Sequence, residues 1–220
     1  RLGDSRSEVF IVNTLGLDRH YSSDGGVAVV VALAGEGNSK KTGFTFTIAR
    51  EPGDIDVSAL GKEASKRAID QLGAGRVKSG KYRVLFRNDM FGQLFATFTS
   101  MYSAENVQKG LSIIADKEGT KIASELLTVY DDPLLPFSPN SRPFDDEGVP
   151  TVKKTLVEKG LLKTFLYDLK TAAKAGTKST GNAIKSSYRS KPSISMINTV
   201  VKPGEKSFNT LVGELDEGIV

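Results

Sequence analysis

An α+β fold on a largely antiparallel sheet, built from hairpins with a few packed helices, is what the sequence predicts, and three observations carry that prediction. Short β-branched or alternating segments outnumber helical ones. They arrive in pairs joined by Gly- and Asn-rich turns, and no strand–helix alternation of the kind that builds parallel sheets runs along the chain. The 220 residues are 39% hydrophobic and 8% aromatic, enough to bury a core in one large domain or two small ones. No internal repeat is visible, so solenoids and propellers are set aside.

Residues 7–13 (SEVFIVN) are a β-rich run ending in a turn at Asn13-Thr14-Leu15-Gly16, and residues 17–21 can return as a second strand. Residues 27–34 are valines and alanines with one leucine, and their β-branching favours a buried strand over a helix. Residues 35–43 read as a polar hairpin loop, because Gly and Asn supply the positive φ such turns need. Phe44-Thr45-Phe46-Thr47-Ile48 alternates and should pair back antiparallel. Residues 1–54 are therefore a β-meander, the end of an N-terminal α+β domain or the start of the next.

Residues 55–130 read as a helix-strand-helix core segment. Asp56 or Ser58 can cap a helix in which Leu60, Ala64, Ala68, Ile69 and Leu72 share a face, closing at Gly73 or Gly75. Residues 82–86 follow as a strand, and Asn88 or Asp89 can start a second helix. Its Phe91, Leu94, Phe95, Phe98, Met101 and Tyr102 form a broad apolar face expected in the core. Residues 122–130 are a further expected strand.

Pro133, Pro136, Pro139 and Pro143 then forbid regular structure across a Pro/Asp-rich connection, residues 131–150. Residues 151–220 are a β-rich segment of a C-terminal domain expected to be truncated. Within it, residues 151–157 and 161–167 form a hairpin around Glu158-Lys159-Gly160, and residues 169–176 a short helix or turn ended by glycine. Residues 194–201 are a strand stopped by Pro203-Gly204, and 208–215 a last helical piece. The chain starts at Arg1 without a methionine and stops on an apolar Val220, so it is expected to be an internal piece of a longer protein.

Composition narrows the chemistry of these residues. With no cysteine there is no disulfide framework, thiolate nucleophile or Cys-based zinc site. The one histidine, His20, has no second histidine or cysteine to complete a site, and a structural or exposed role is expected for it. The longest apolar run, residues 27–34, is far short of the ~20 residues of a membrane-spanning helix, so no membrane partner is expected. Gly73-Ala74-Gly75-Arg76-Val77-Lys78 lacks the third glycine of a dinucleotide loop and follows a helix rather than a strand. Residues 176–181 have the glycine spacing of a phosphate loop, yet Asn182-Ala183 stand where Lys and Ser or Thr are needed.

Charge is uneven. The net of +4 is too small to argue for nucleic acid, but residues 152–191 hold ten Lys and Arg against Glu158 and Asp168. That stretch is either a basic surface for nucleic acid or a DNA-bound enzyme, or a solvated lysine face. The acidic group Asp131, Asp132, Asp145, Asp146 and Glu147 brackets the proline-rich connection and could converge on a cation or act as an acid/base pair. Short acidic residues beside Pro and Gly are, however, favoured as turn formers.

The ordered pieces Pro143-Phe144-Asp145-Asp146-Glu147-Gly148-Val149-Pro150-Thr151, Leu156-Val157-Glu158-Lys159-Gly160-Leu161-Leu162, Leu166-Tyr167-Asp168 and Ser179-Thr180-Gly181-Asn182-Ala183 resemble the core of the PmbA/TldE side of the TldD/PmbA family. Asn13-Thr14-Leu15-Gly16, Asp131-Asp132-Pro133, and Asn198-Thr199 before Pro203-Gly204 support it. The resemblance spans nearly the whole chain and implies a protein about twice as long.

It further implies a cytoplasmic two-subunit protease system, also labelled modulator of DNA gyrase, acting in peptide maturation and antitoxin turnover. In such a system a TldD-type subunit carries zinc on an H-E-x-x-x-H helix. Placed on that pattern through Lys109-Gly110, the three motif positions fall on Phe95, Ala96 and Ser100, so the resemblance implies neither catalytic nor metal residues in this chain. Zinc is expected on a TldD-type partner, and the expected partners are that subunit or a second copy, with a peptide or unfolded protein as substrate. The loops at Asp145, Glu147, Gly148, Thr180, Gly181 and Asn182 are candidates for substrate contact, with turn geometry as the competing reason for their glycines.

Overall fold

The computed structural model describes residues 1–49 and 51–220, which separate into two compact units. The first contains Arg1–Phe10, His20–Ser79 and Pro136–Asn140; the second contains Ile11–Arg19, Gly80–Leu135 and Ser141–Val220. No helix among the described residues is long and apolar enough to cross a membrane.

β1 (Leu2–Val12), β2 (Asp18–Ala34) and β3 (Lys41–Ala49) form an antiparallel meander in the order β1-β2-β3, which belongs to the first unit except for Ile11–Val12 and Asp18–Arg19. The return strand and residues 27–34 are one continuous 17-residue strand rather than two. β2 and β3 are in register from Gly26 opposite Ala49 to Ala34 opposite Lys41. Gly35 and Gly37 at φ 93° and 54° turn the chain between them, where a side chain would be strained.

Helix α1 (Val57–Ile69) begins where the Asp56 carboxylate accepts the Ala59 N–H at 2.8 Å, and it packs on β3. Period-2 alternation fixes which strand residues meet it. Gly43, Thr45, Ala49 and Ala28 are buried, while Val27, Val31, Leu33, Phe44, Phe46 and Ile48 lie on the opposite, exposed face. Burial of the valine run is thus corrected. A Cβ on Gly43 would overlap the Ala64 carbonyl, so the helix seats its own small residues, Ala64 and Ala68, directly against the small-residue face.

The core of the second unit lies on a four-stranded antiparallel sheet ordered β6-β5-β4-β9, with β4 Val129–Asp131, β5 Lys154–Glu158, β6 Leu161–Leu162 and β9 Thr199–Val201. Val129, Leu156, Val157 and Leu162 are fully buried, joined by Tyr102, Phe165 and Leu166. The β5–β6 turn needs Lys159 and Gly160 at φ 46° and 79°. A small ladder pairs β7 (Ala183–Ile184) with β8 (Ser193–Ile194).

Four helices complete this unit: α2 (Asn88–Ala96), α3 (Ala104–Gln108), α4 (Leu169–Ala175) and α5 (Phe208–Gly213). α4 opens with a capping box between Asp168 and Thr171 and closes on left-handed Gly176, the glycine expected to end it.

Several expected strands shorten. Residues 82–86 contribute one bridge, Val84 to Ile219, and residues 122–130 become regular only at Val129. Across 132–153 no helix or strand forms, as the prolines dictate. α2 also departs from expectation, ending at Ala96 and followed by a 3-10 turn, Thr99–Tyr102. Only its Phe91/Phe95 row turns toward the core, where Phe95 lies 6.4 Å from the Tyr102 ring. Met90, Leu94 and Phe98 stay exposed, so of the face expected in the core Phe95, Met101 and Tyr102 belong to it and Leu94 and Phe98 do not.

Candidate functional site

The sequence motifs of the second unit meet in a web of buried polar groups. Asp131 ends β4 fully buried, and its Oδ1 accepts the backbone N–H of Ile197 (2.9 Å) and Asn198 (2.8 Å). Its Oδ2 accepts the Asn182 amide at 2.8 Å, with the Lys154 ammonium 3.4 Å away. Lys154 in turn donates to Asn182 Oδ1 at 2.8 Å, as does the Thr180 hydroxyl, also at 2.8 Å. Asn182 closes the ring by donating to the Ser195 carbonyl at 2.9 Å. This diversion of backbone groups to side chains splits the strand expected across 194–201 into β8 and β9.

Burial pulls the Lys154 ammonium down from its ordinary range, while the Asp131 charge pulls it back. The pair is held by saturating hydrogen bonds, which is the condition for keeping charges out of water.

Asp145 sits beside this web. Its Oδ1 accepts the N–H of Glu147 (3.0 Å) and Val149 (2.9 Å), and its Oδ2 that of Ala183 (3.0 Å). Burial raises its carboxyl above the ordinary value, and the three N–H donors oppose that rise. Asp146 accepts the Lys185 N–H at 2.6 Å and lies 3.7 Å from Arg142. Glu147 reaches the first turn of α4, accepting the Leu169 N–H at 2.8 Å; its carboxyl too is raised, chiefly by burial.

The two acidic clusters of the sequence therefore converge on Asn182-Ala183, through side-chain amide and backbone N–H. Their carboxylates are engaged by N–H donors as turn-forming groups. Among the described residues, no buried side-chain polar atom lacks a partner, and no three His, Cys, Asp or Glu side chains gather as a metal site.

The two glycines of the motif loops answer to geometry. Gly148, at φ 80°, has the Leu17 side chain 2.5 Å from where a Cβ would stand. Leu17 belongs to the Asn13-Thr14-Leu15-Gly16 turn, where Asn13 Oδ1 accepts the N–H of Leu15 (2.9 Å) and Leu17 (3.1 Å). Gly181, at φ 70°, faces the Pro150 carbonyl, 2.7 Å from its virtual Cβ. The Thr180 backbone N–H and the Ser179 hydroxyl donate to the Tyr167 carbonyl at 3.0 and 3.1 Å, so the loop after α4 is bound inward. Sequence reasoning missed Lys154, Ser195 and Asn198 as members of the web. Of the three, Lys154 carried a legible signal, a lysine inside a β-rich apolar segment.

The positions placed on the zinc motif lie at the end of α2 and in the turn after it. Phe95 stacks on Phe91 at 6.1 Å, Ala96 is exposed, and the Ser100 carbonyl accepts the Asn106 side chain at 2.8 Å. Phenylalanine and alanine offer no lone pair and a zinc site takes about three protein ligands, so this donor set does not fit the metal. His20 is exposed and stacks on Phe10 at 5.7 Å.

Comparison with known proteins gives these motifs a context. Residues 1–72 match the family model described as the PmbA/TldA metallopeptidase central domain, and residues 79–220 that described as its C-terminal domain. The chain is 41% identical, at TM-score 0.92, to the crystal structure of a putative modulator of a DNA gyrase from Thermotoga maritima, covering 99% of this chain and 50% of that one. It is 30% identical, at TM-score 0.86, to TldE from Thermococcus kodakarensis, covering all of this chain and 50% of that one. Among curated proteins, the metalloprotease TldD homolog of Buchnera aphidicola (Schizaphis graminum) is 30% identical across 99% of this chain and 48% of its own length. The chain spans about half the length of that relative and of both solved structures. It belongs to the PmbA/TldD metallopeptidase family.

Proposed function

We propose that this chain is part of the non-catalytic subunit of a TldD/TldE-type two-subunit zinc metalloprotease acting on peptides or unfolded protein. One observation carries the reading: Phe95, Ala96 and Ser100 occupy the positions that the zinc motif would need. Similarity to the Thermococcus TldE agrees with it. Zinc then resides on a TldD-type partner in the cytoplasm, where the pair acts in peptide maturation or antitoxin turnover.

In this role the chain closes its partner's cleft and offers a strand edge to extended peptide. The edge at β9 suits the task because it ends its sheet, while the β6 edge is met by the Lys121–Leu161 bridge. Backbone pairing there tolerates varied side chains, as an unfolded substrate requires.

The Asp145–Gly148 and Thr180–Asn182 loops then hold the scaffold rather than the substrate. A nucleic-acid reading of residues 152–191 is disfavoured because several of its lysines are already paired with carboxylates or buried. Lys153 lies 3.0 Å from Asp132, Lys163 lies 3.3 Å from Glu158, and Lys154 is buried. The test is peptide hydrolysis by the full-length protein, alone and mixed with a TldD-type partner. Activity confined to the mixture is expected; turnover by the isolated protein at the same rate would refute the assignment.

A further inference from the structure

The Asn182 side-chain amide is held in one orientation by the character of its partners. Its Nδ2 faces two acceptors, the Asp131 carboxylate at 2.8 Å and the Ser195 carbonyl at 2.9 Å. Its Oδ1 faces two donors, the Lys154 ammonium and the Thr180 hydroxyl, each at 2.8 Å. The reverse orientation would set the NH2 against an ammonium, so the carbonyl end lies toward Lys154. At an ordinary hydrogen-bond angle this contact leaves Lys154 Nζ about 3.6 Å from Asn182 Cγ, close to the ~3–3.5 Å from which a nucleophile attacks.

These groups are shut away from water. Asp131 and Asn182 are fully buried, and the Lys154 side chain is 9% exposed. Asp131 ends β4, Lys154 opens β5 and Asn182 immediately precedes β7, so the three meet on rigid elements.

We propose that Lys154 and Asn182 join in an isopeptide bond, with Asp131 carrying the protons and ammonia as the leaving group. The ammonium passes a proton across 3.4 Å to Asp131 Oδ2, leaving a neutral amine beside a neutral acid. Burial, which pulls the Lys154 ammonium down, favours that transfer. The amine lone pair attacks Cγ, and the negative charge that gathers on Oδ1 is met by the Thr180 hydroxyl.

Asp131 gives its proton to Nδ2, which already faces it, and takes one from the attacking nitrogen. The Cγ–Nδ2 bond breaks, the carbonyl re-forms, and ammonia leaves with the proton then on Asp131, as ammonium. No oxidant, metal or other reactant enters.

The Lys154–Asp131 ion pair belongs to the unlinked form. It must be neutralised against its hydrogen bonds before the amine can attack, so linking lags behind folding. The product is an amide staple from β5 to the residue before β7, spanning 28 positions of the chain.

Intact mass spectrometry of the full-length protein is the test. The isolated protein is expected below its sequence mass by about 17 Da, one ammonia, in a fraction that grows over days of incubation. Trypsin should then spare the bond after Lys154 and release one branched peptide carrying both Lys154 and Asn182. Lys154→Arg keeps a cationic donor but offers no free amine, and is expected to hold its full mass. Asn182→Asp is expected to link with loss of water instead, about 18 Da. Wild-type protein that stays folded at its full mass throughout would overturn the proposal. So would the same ammonia loss persisting in Lys154→Arg, which would assign it to ring closure of Asn182 on its own backbone.

Discussion

Replacing Asp131 by alanine is the sharpest perturbation of the polar web. The carboxylate is fully buried and serves four donors: Ile197 N at 2.9 Å, Asn198 N and Asn182 Nδ2 at 2.8 Å, and Lys154 at 3.4 Å. Truncation strands two buried backbone N–H groups, each costing about 1–3 kcal/mol, and leaves an ammonium without its counter-charge. Breaking a buried pair from one side costs about 3–5 kcal/mol, and Asp131→Ala is expected in that range.

Lys154→Met removes the charge whose desolvation the fold bears and leaves Asp131 with three N–H donors. It also breaks the pair from one side, but the remaining carboxylate keeps those donors, so it is expected to cost about 1–3 kcal/mol, less than Asp131→Ala. Urea unfolding followed by near-ultraviolet circular dichroism of the tyrosines reads both, since the chain has no tryptophan. A loss below about 1 kcal/mol for Asp131→Ala, or an equal loss for Lys154→Met, would refute the idea that Asp131 organises the web.

Other consequences follow from single positions. Gly181→Ala combines φ 70° with a backbone carbonyl in the way and is expected to lose about 3 kcal/mol, whereas Gly148→Ala meets only the Leu17 side chain and should be partly rescued by Leu17→Ala. Comparing the three melting curves checks the order. Burial pushes the Tyr102 phenol up from 10.0 to about 12, so the folded state keeps its proton after the unfolded state has released it. Stability from this group is thus complete below about pH 10 and lost between pH 10 and 12, about 2–3 kcal/mol in all. The difference between wild type and Tyr102→Phe across that window isolates it. Finally, DNA binding by the lysine stretch, if measured against salt, should show a log-log slope well short of the ~−0.9 per phosphate of a true phosphate-binding face.

How much of this was legible beforehand depends on where the signal sits. The meander, the Asp56-capped helix and the α4 helix closed by Gly176 were readable because turn glycines, caps and periodicity are local. Which face of the meander is buried was not: Phe44, Phe46 and Ile48 are the more hydrophobic row, yet α1 covers Gly43, Thr45 and Ala49. Close backbone approach selected small residues there, and pattern alone assigns the larger row to the core.

The polar web was legible only as separate motifs. Asp131 and Asn182 are 51 positions apart, and nothing local announces that one accepts from the other. The same non-local demand on Ile197 and Asn198 interrupts a strand that its own residues predict as continuous.

The claim that this chain belongs to a non-catalytic subunit is tested most directly by the zinc content of the full-length protein purified alone. With Phe95 and Ala96 at two of the three motif positions, zinc well below one equivalent per chain is predicted after dialysis against the free metal. One tightly held zinc per chain, lost only to a strong chelator, would contradict the account.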